Sequence, residues 1–374
     1  MVAKQTETPS HSASGGALKI LHTADVHIRA FQDERWQALQ TVMAMATHQR
    51  VDVVVICGDL FDAAYQGEQV RDRIREVFQT FPGHIIMIPG NHDYQAFLDG
   101  YLWGNNVRVV LNAREPVVVK EVYFWGIPYE TLSEEQVTYR LIELDALARQ
   151  RAPNAVHVLL YHGELLNVRG GPGAYGDEAA RGYMPVQIEA FKGKIWHYVL
   201  AGHFHQTFQY HEFEPRKYFV YPGSPISVTR KETGDRKVNV FSLGEQPHAV
   251  ILETPHYQPV MVSLTPEDNW PVFLQRCKHQ LKVLKSHAIP LITIDGNFDS
   301  HRLGKTEKEL QNALQRAFPA VQIERFQAVD VHRLYGDDLF KTLREKIEQQ
   351  TNLNRRQQQE LVELLMKVMS RESR

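Results

Sequence analysis

The chain has 374 residues, 43% of them hydrophobic, and a formal net charge of −2. That length holds two domains and a tail with a full core, and the near-neutral balance excludes a globally basic nucleic-acid binder, so any polyanion site must be local. The two cysteines, Cys57 and Cys277, stand far apart in unrelated contexts, which excludes a disulfide framework or a zinc cluster and favours a reducing, cytoplasmic location.

In chain order, residues 1–17 are Ser-, Thr-, Gly- and Ala-rich and are expected to be a disordered leader. Apolar runs at 18–22, 53–57, 85–89, 156–160 and 198–201 read as buried strands, and amphipathic stretches at 34–49, 68–80 and 134–149 read as helices, the α/β pattern of helices packed on a sheet. Each run ends in a polar cluster. The clusters are Asp25-Val26-His27, Gly58-Asp59-Leu60-Phe61-Asp62, Gly90-Asn91-His92-Asp93, Tyr161-His162-Gly163 and Gly202-His203-Phe204-His205. Ligands collect outside the carboxyl ends of strands in such sheets. Short alternating runs at 207–211, 217–221, 237–242 and 249–253 are expected to form a meander completing a second sheet, which closes a first domain over 18–255. Residues 256–332 read as a small α/β cap. Residues 333–374 read as a helical tail, with apolar faces formed by Leu339, Phe340, Leu343 and Ile347 and by Leu361, Leu364, Leu365, Val368 and Met369. No apolar run reaches the length of a membrane span.

The five clusters carry the chemistry of a two-metal phosphoester hydrolase. Asp25 and His27 are two apart, as are His203 and His205, so at a strand end each pair can reach one ion. Gly58, Gly90 and Gly202 precede ligands and let the chain turn sharply. The assignment that follows gives one ion Asp25, His27, Asp59 and His205, and the other Asp59, Asn91, His162 and His203, with Asp59 bridging. Oxygen and imidazole donors without thiolate suit Mn, Fe or Zn, Mn first. His92 is placed to stabilise or protonate the leaving alkoxide. Asp62 could orient its imidazole, Asp93 competes for that role, and both suit turn caps. His22, His157 and Glu164 stand near the clusters and read as core or turn residues.

On these clusters the sequence resembles the calcineurin-like metallophosphoesterases over about residues 18–225. His22-Thr23-Ala24-Asp25-Val26-His27, Gly58-Asp59-Leu60-Phe61-Asp62 and Tyr221-Pro222-Gly223-Ser224-Pro225 are similar to the SbcD-type nuclease branch. The resemblance implies a four-layer α/β/β/α core. It further implies a Mn-dependent 3′ to 5′ exonuclease and single-strand endonuclease acting on DNA in double-strand-break repair, and a homodimer clamping an ABC-type, SbcC-like ATPase. In that family the segment at 256–332 caps DNA and the tail docks on the ATPase; the tail helices could equally pack on their own domain. After Asp62 the chain runs Ala63-Ala64-Tyr65-Gln66-Gly67, without the Pro-containing turn common in that branch. Phosphate contacts call for local cations, and Arg29, Arg169 and Arg230-Lys231 are the candidates. Two other readings compete: a phosphoesterase acting on a phosphoprotein or small phosphoester, and a non-catalytic protein that binds DNA or a partner.

Overall fold

The computed structural model describes residues 17–166, 182–319 and 321–372, in two compact units that divide after Pro255. Residues 1–16 of the expected leader over 1–17, and Arg169, lie outside the described residues.

The first unit runs β1 (Lys19–Thr23), α1 (Glu34–His48), β2 (Val53–Cys57), α2 (Ala64–Gln79), β3 (His84–Ile88), β4 (Val107–Val109), β5 (Val117–Val119), β6 (Val122–Ile127), α3 (Glu134–Arg151), β7 (Val156–His162), β8 (Leu165–Leu166), β9 (Val186–Gln187), β10 (Tyr198–Gly202), β11 (Gln209–Glu214), β12 (Lys217–Tyr221), β13 (Lys237–Ser242) and β14 (Ala249–Ile251). Its strands form two six-stranded sheets, ordered β14-β13-β1-β2-β3-β4 and β11-β12-β10-β7-β6-β5. In each, four neighbouring strands are parallel and the remaining strands are antiparallel.

The period-2 pattern of the strands assigns the layers. Ile20, Val53, Val55, Ile86 and Ile88 face Phe124, Val158, Leu160 and Leu200 in one core between the sheets. The alternate residues Leu21, Val54, Ile56 and Met87 pack under α1 and α2 through Leu39, Val42, Val70, Ile74 and Phe78. On the second sheet, Leu159, Tyr161 and Val199 pack under α3 through Val137, Leu141 and Leu144. The result is α/β/β/α, with both faces of each central strand buried. Helix starts carry their chemistry in sequence: Asp33 accepts from the Trp36 amide at 2.6 Å, and Ser133 and Gln136 form a capping box.

One expectation fails. The runs after Gly202 do not form a single meander, because only β11 and β12 join the second sheet and β13 crosses to pair antiparallel with β1 of the first. The physical reason is burial on both faces: Val238, Asn239, Val240 and Phe241 of β13 are all buried, which an edge of the second sheet would not provide. The crossing segment, residues 222–236, therefore runs between the sheets.

The second unit runs β15 (His256–Leu264), α4 (Trp270–Lys282), β16 (Ala288–Phe298), α5 (Ser300–Leu303), α6 (Glu307–Ala317), β17 (Gln322–Phe326), β18 (Val329–Asp330), α7 (His332–Gly336), α8 (Asp338–Glu348) and α9 (Arg355–Glu372). Its strands are parallel, with β16 central, and Phe273, Cys277, Leu310 and Leu314 of α4 and α6 cover one face. The last three helices pack on one another through Leu334, Phe340, Leu365, Met366 and Met369. The expected apolar face of α9 is thereby split: Leu365 and Met369 turn inward, and Leu361, Leu364 and Val368 stay exposed. Among the described residues, no helix is long and apolar enough to cross a membrane.

Candidate metal centre

All five polar clusters meet at the carboxyl ends of β1, β2, β3, β7 and β10. The ligand candidates reach this point by leaving regular strand geometry. Asp25 (φ 56°), His27 (φ 56°), Asp59 (φ 51°) and His203 (φ 90°) all adopt left-handed backbone conformations. These cost roughly 1–3 kcal/mol each for a residue with a Cβ and persist only where the surroundings over-determine them. The backbone supplies that determination: the Asp25 and His27 amides donate to the Gly58 and Asp59 carbonyls at 3.1 and 3.0 Å, and the His203 amide donates to the Asp25 carboxylate at 3.0 Å. Of the three glycines expected to permit sharp turns, only Gly58 has positive φ (87°). Gly202 is required by proximity instead, since a Cβ there would overlap the Cys57 carbonyl where the two sheets approach, and one on Gly90 would overlap the Asp59 carboxylate.

The side chains interlock around Asp59, which is wholly buried. Asp59 Oδ1 accepts from the His92 amide at 2.9 Å. Asp59 Oδ2 makes no hydrogen bond of good geometry among the described residues and lies 3.3 Å from His162 Nε2 and 3.8 Å from His27 Nε2. His27 Nε2 in turn faces His205 Nε2 at 3.2 Å, and Asp25 Oδ1 lies 3.9 Å from both His205 Nε2 and His162 Nδ1. Asn91 Oδ1 is 2.9 Å from His162 Nε2, and the His203 ring packs edge-on against that of His162. Three overlapping groups could each hold an ion: Asp25, His27 and His205; Asp25, Asp59 and His162; and His27, Asp59 and His92.

This donor set calls for positive charge. His162 Nδ1 meets the Cys57 carbonyl at 2.8 Å, and its Nε2 meets the oxygens of Asn91 and Asp59, so both ring nitrogens face acceptors. Burial pulls the His162 pKa down, but the charges of Asp59 and Asp25 outweigh it and hold it above the usual histidine value. Burial likewise raises Asp59, and the neighbouring His162 and His27 reverse the shift and hold it below the carboxylate range. A cation at Nε2 meets the same demand that this proton meets. With oxygen and imidazole donors and no thiolate, the residues fit divalent metals of the Mn, Fe and Zn type. The Cys57 thiol points elsewhere, to the Leu200 carbonyl at 3.0 Å.

His92 stands half-buried at the rim, 4.9 Å from the His27 ring centroid. Its Nδ1 contacts Asp62 at 2.9 Å, through the main-chain carbonyl and not the carboxylate. The Asp62 carboxylate instead bonds Arg35 at 2.8 Å and Arg29 at 3.0 Å and lies 3.4 Å from His27 Nδ1. Burial raises its pKa, but His27 and the two arginines reverse the shift and place it below the ordinary range. Asp93, the competing orienter, faces away from His92: its wholly buried carboxylate accepts from the Gly90, Leu60 and Phe61 amides and so ties the β2 and β3 loops together. Burial and the nearby Asp59 charge push its pKa up to about 7.

Three residues outside the expected set brace the centre. Arg35 is buried and donates to the His27 carbonyl at 2.7 Å. Glu232 reaches His205 Nδ1 at 3.3 Å, and Arg236 donates to the His205 carbonyl. Arg35 sits on α1, and Glu232 with Arg236 on the crossing segment, outside every polar cluster. The signal in the sequence was thin: charged residues two positions past Asp33 and ten and fourteen past Pro222.

The calcineurin-like phosphoesterase family model matches residues 18–207, half of the chain. The chain is 25% identical over 248 residues to the D component of the SbcCD nuclease of Staphylococcus epidermidis, a match that covers 59% of this chain and 64% of that protein. It thus spans less than two thirds of the length of that relative. Among solved structures it is similar to a Thermus thermophilus protein (TM-score 0.40, 14% identity, 59% of this chain and 93% of that one). A dimetal phosphatase from Danio rerio is similar to the same degree (TM-score 0.40, 12% identity, 64% and 96%). With groups that could hold metal ions assembled at the strand ends and the family model matched across them, the chain belongs to the calcineurin-like phosphoesterases, a family of metal-dependent hydrolases.

Proposed function

We propose that this chain is a DNA phosphodiesterase that works with two divalent ions, Mn first among them, as the nuclease component of a double-strand-break repair complex. The observation that carries the two-ion reading is Asp59 Oδ2, which lies 3.8 Å from His27 Nε2 and 3.3 Å from His162 Nε2, so that this one carboxylate could serve both ions. Asp25, His27 and His205 complete one side, and Asn91, His162 and His203 the other. When bound, paired divalent ions offset the charge of a phosphodiester and lower the pKa of a shared water for in-line attack. The chain's own residues do the rest. The Asp62 carbonyl accepts from Nδ1 of His92, which leaves Nε2 to hold or release a proton at the leaving oxygen. The Asp62 carboxylate holds Arg29, more than half exposed, beside the centre, where a guanidinium suits phosphate.

DNA as substrate is supported by the likeness to a nuclease component, which extends over a longer stretch than the family model matches. In this reading residues 256–332 cap DNA, and Arg230 and Lys231, exposed on the crossing segment, contact its backbone. Residues 333–374 dock an ABC-type ATPase through the exposed stripe of Leu361, Leu364 and Val368, within a homodimer in the cytoplasm. Assay of the purified protein with Mn on linear duplex DNA, single-stranded DNA and a generic phosphomonoester tests the reading. Hydrolysis of DNA is expected, and turnover of the monoester alone refutes it. Deleting 334–374 tests the docking: the truncated chain should keep its fold and lose the ATPase, and collapse of the monomer refutes it.

A further inference from the structure

The segment that crosses from β12 to β13 carries a buried charged network. Glu232 is wholly buried and accepts from five donors: the Val228 amide at 2.7 Å, the Thr229 amide at 3.2 Å, Thr229 Oγ1 at 3.1 Å, Ser224 Oγ at 3.0 Å and His205 Nδ1 at 3.3 Å. Arg236, also buried, donates to the Ser224 carbonyl and Ser224 Oγ, both at 3.0 Å, and to the His205 carbonyl. Burying a carboxylate and a guanidinium costs several kcal/mol per ion by rough estimate, and hydrophobic residues often hold a loop as well. What the charged pair does that an apolar filling would not is to hold one imidazole by both its backbone and its ring.

We propose that Glu232 is a positioning residue for the metal centre, acting through His205 on the ion that Asp25, His27 and His205 hold. A carboxylate on Nδ1 requires the proton there. It therefore fixes the tautomer that aims the Nε2 lone pair at Asp25 Oδ1 and His27 Nε2, and it raises the ring's strength as a ligand. His162 Nδ1 meets a neutral carbonyl at hydrogen-bond distance instead, so the two sides of the centre are braced unequally. The inference rests on the two-ion reading above.

The test is calorimetric titration of the metal-free full chain with Mn, comparing wild type, His205→Ala, Glu232→Gln and Glu232→Ala. Wild type should bind two ions. Glu232→Ala should weaken one of them by about 10- to 100-fold, the same one that His205→Ala removes, and leave the other within a few-fold. Glu232→Gln keeps an oxygen for Nδ1 and should recover most of that loss. Unchanged binding in Glu232→Ala, or equal weakening of both ions in either variant, overturns the proposal. If Glu232→Ala fails to fold by circular dichroism, Glu232→Leu, which fills the space and offers Nδ1 no acceptor, takes its place: a loss confined to the His205 ion supports positioning, and a loss shared by both, or none, overturns it. Failure of wild type to bind two ions would overturn the two-ion reading itself, before any variant is compared.

Discussion

His22 should make the first unit acid-labile independently of its metals. Its side chain points into the core between the sheets, on the same face as Ile20, two residues along β1, and is fully buried. Burial is the main cause that lowers its pKa from 6.5 to about 3. A group that is harder to protonate when folded stabilises the fold fully above its unfolded pKa and loses that contribution as pH falls from 6.5 toward 3. At pH 5 the unfolded chain has gained the proton and the folded chain has not, so the one and a half units between 5 and 6.5 all count against folding. At about 1.4 kcal/mol per unit this is about 2 kcal/mol lost between pH 8 and pH 5. His22→Leu removes the titration from an apolar setting. Urea unfolding in chelator, followed by tryptophan fluorescence, reads the first unit chiefly, since Trp36, Trp103, Trp125 and Trp196 lie there and Trp270 alone lies in the second. The variant should lose about 2 kcal/mol less than wild type between the two pH values. Equal losses would refute the assignment of a neutral histidine to that core.

Gly202→Ala should destabilise the first unit by about 1–3 kcal/mol, because the added methyl has to push the Cys57 carbonyl and Ala24 aside; an unchanged urea midpoint would contradict the close approach. His92→Ala should keep its metal stoichiometry and lose about 100- to 10,000-fold in turnover, whereas Asp59→Ala should lose metal; full Mn-dependent hydrolysis by the His92 variant would remove that residue from the reaction. The double variant Arg230→Gln, Lys231→Gln should flatten the slope of log affinity for duplex DNA against log salt by about 0.9 for each phosphate no longer neutralised. An unaltered slope places the DNA elsewhere.

The ligand candidates were legible because each follows an apolar run that can only be a buried strand, and a polar residue at such an end has no role in the core. Asp25, His27, Asp59, Asn91, His162, His203 and His205 arrive at one place for that reason. How they arrive was not legible. Two residues of one strand are expected to point the same way by alternation, but Asp25 and His27 stand in left-handed conformations, uncommon for any residue with a Cβ, which strand alternation does not describe. The backbone hydrogen bonds from the β1 loop to Gly58 and Asp59 hold them there, and those join segments more than thirty residues apart. The role imagined for the Asp62 carboxylate moved for a similar reason. Arg35, hidden in a helix that reads as amphipathic, draws that carboxylate toward itself, and its carbonyl meets His92 instead.

The return of β13 to the first sheet shows where pattern reading stops and what the fold gains there. Alternating runs separated by Gly and Pro look the same whether they pair with the preceding strand or with one two hundred residues earlier, because period 2 specifies a face and not a partner. Val238 to Phe241 are buried on both faces, so pairing beside β1 is the arrangement that covers them. The chain must then pass from one sheet to the other, and it does so beside the strand ends where the ligand candidates converge. Glu232 and Arg236 are charged residues within that passage, so the same topological step that defeats a meander prediction delivers the carboxylate that holds His205.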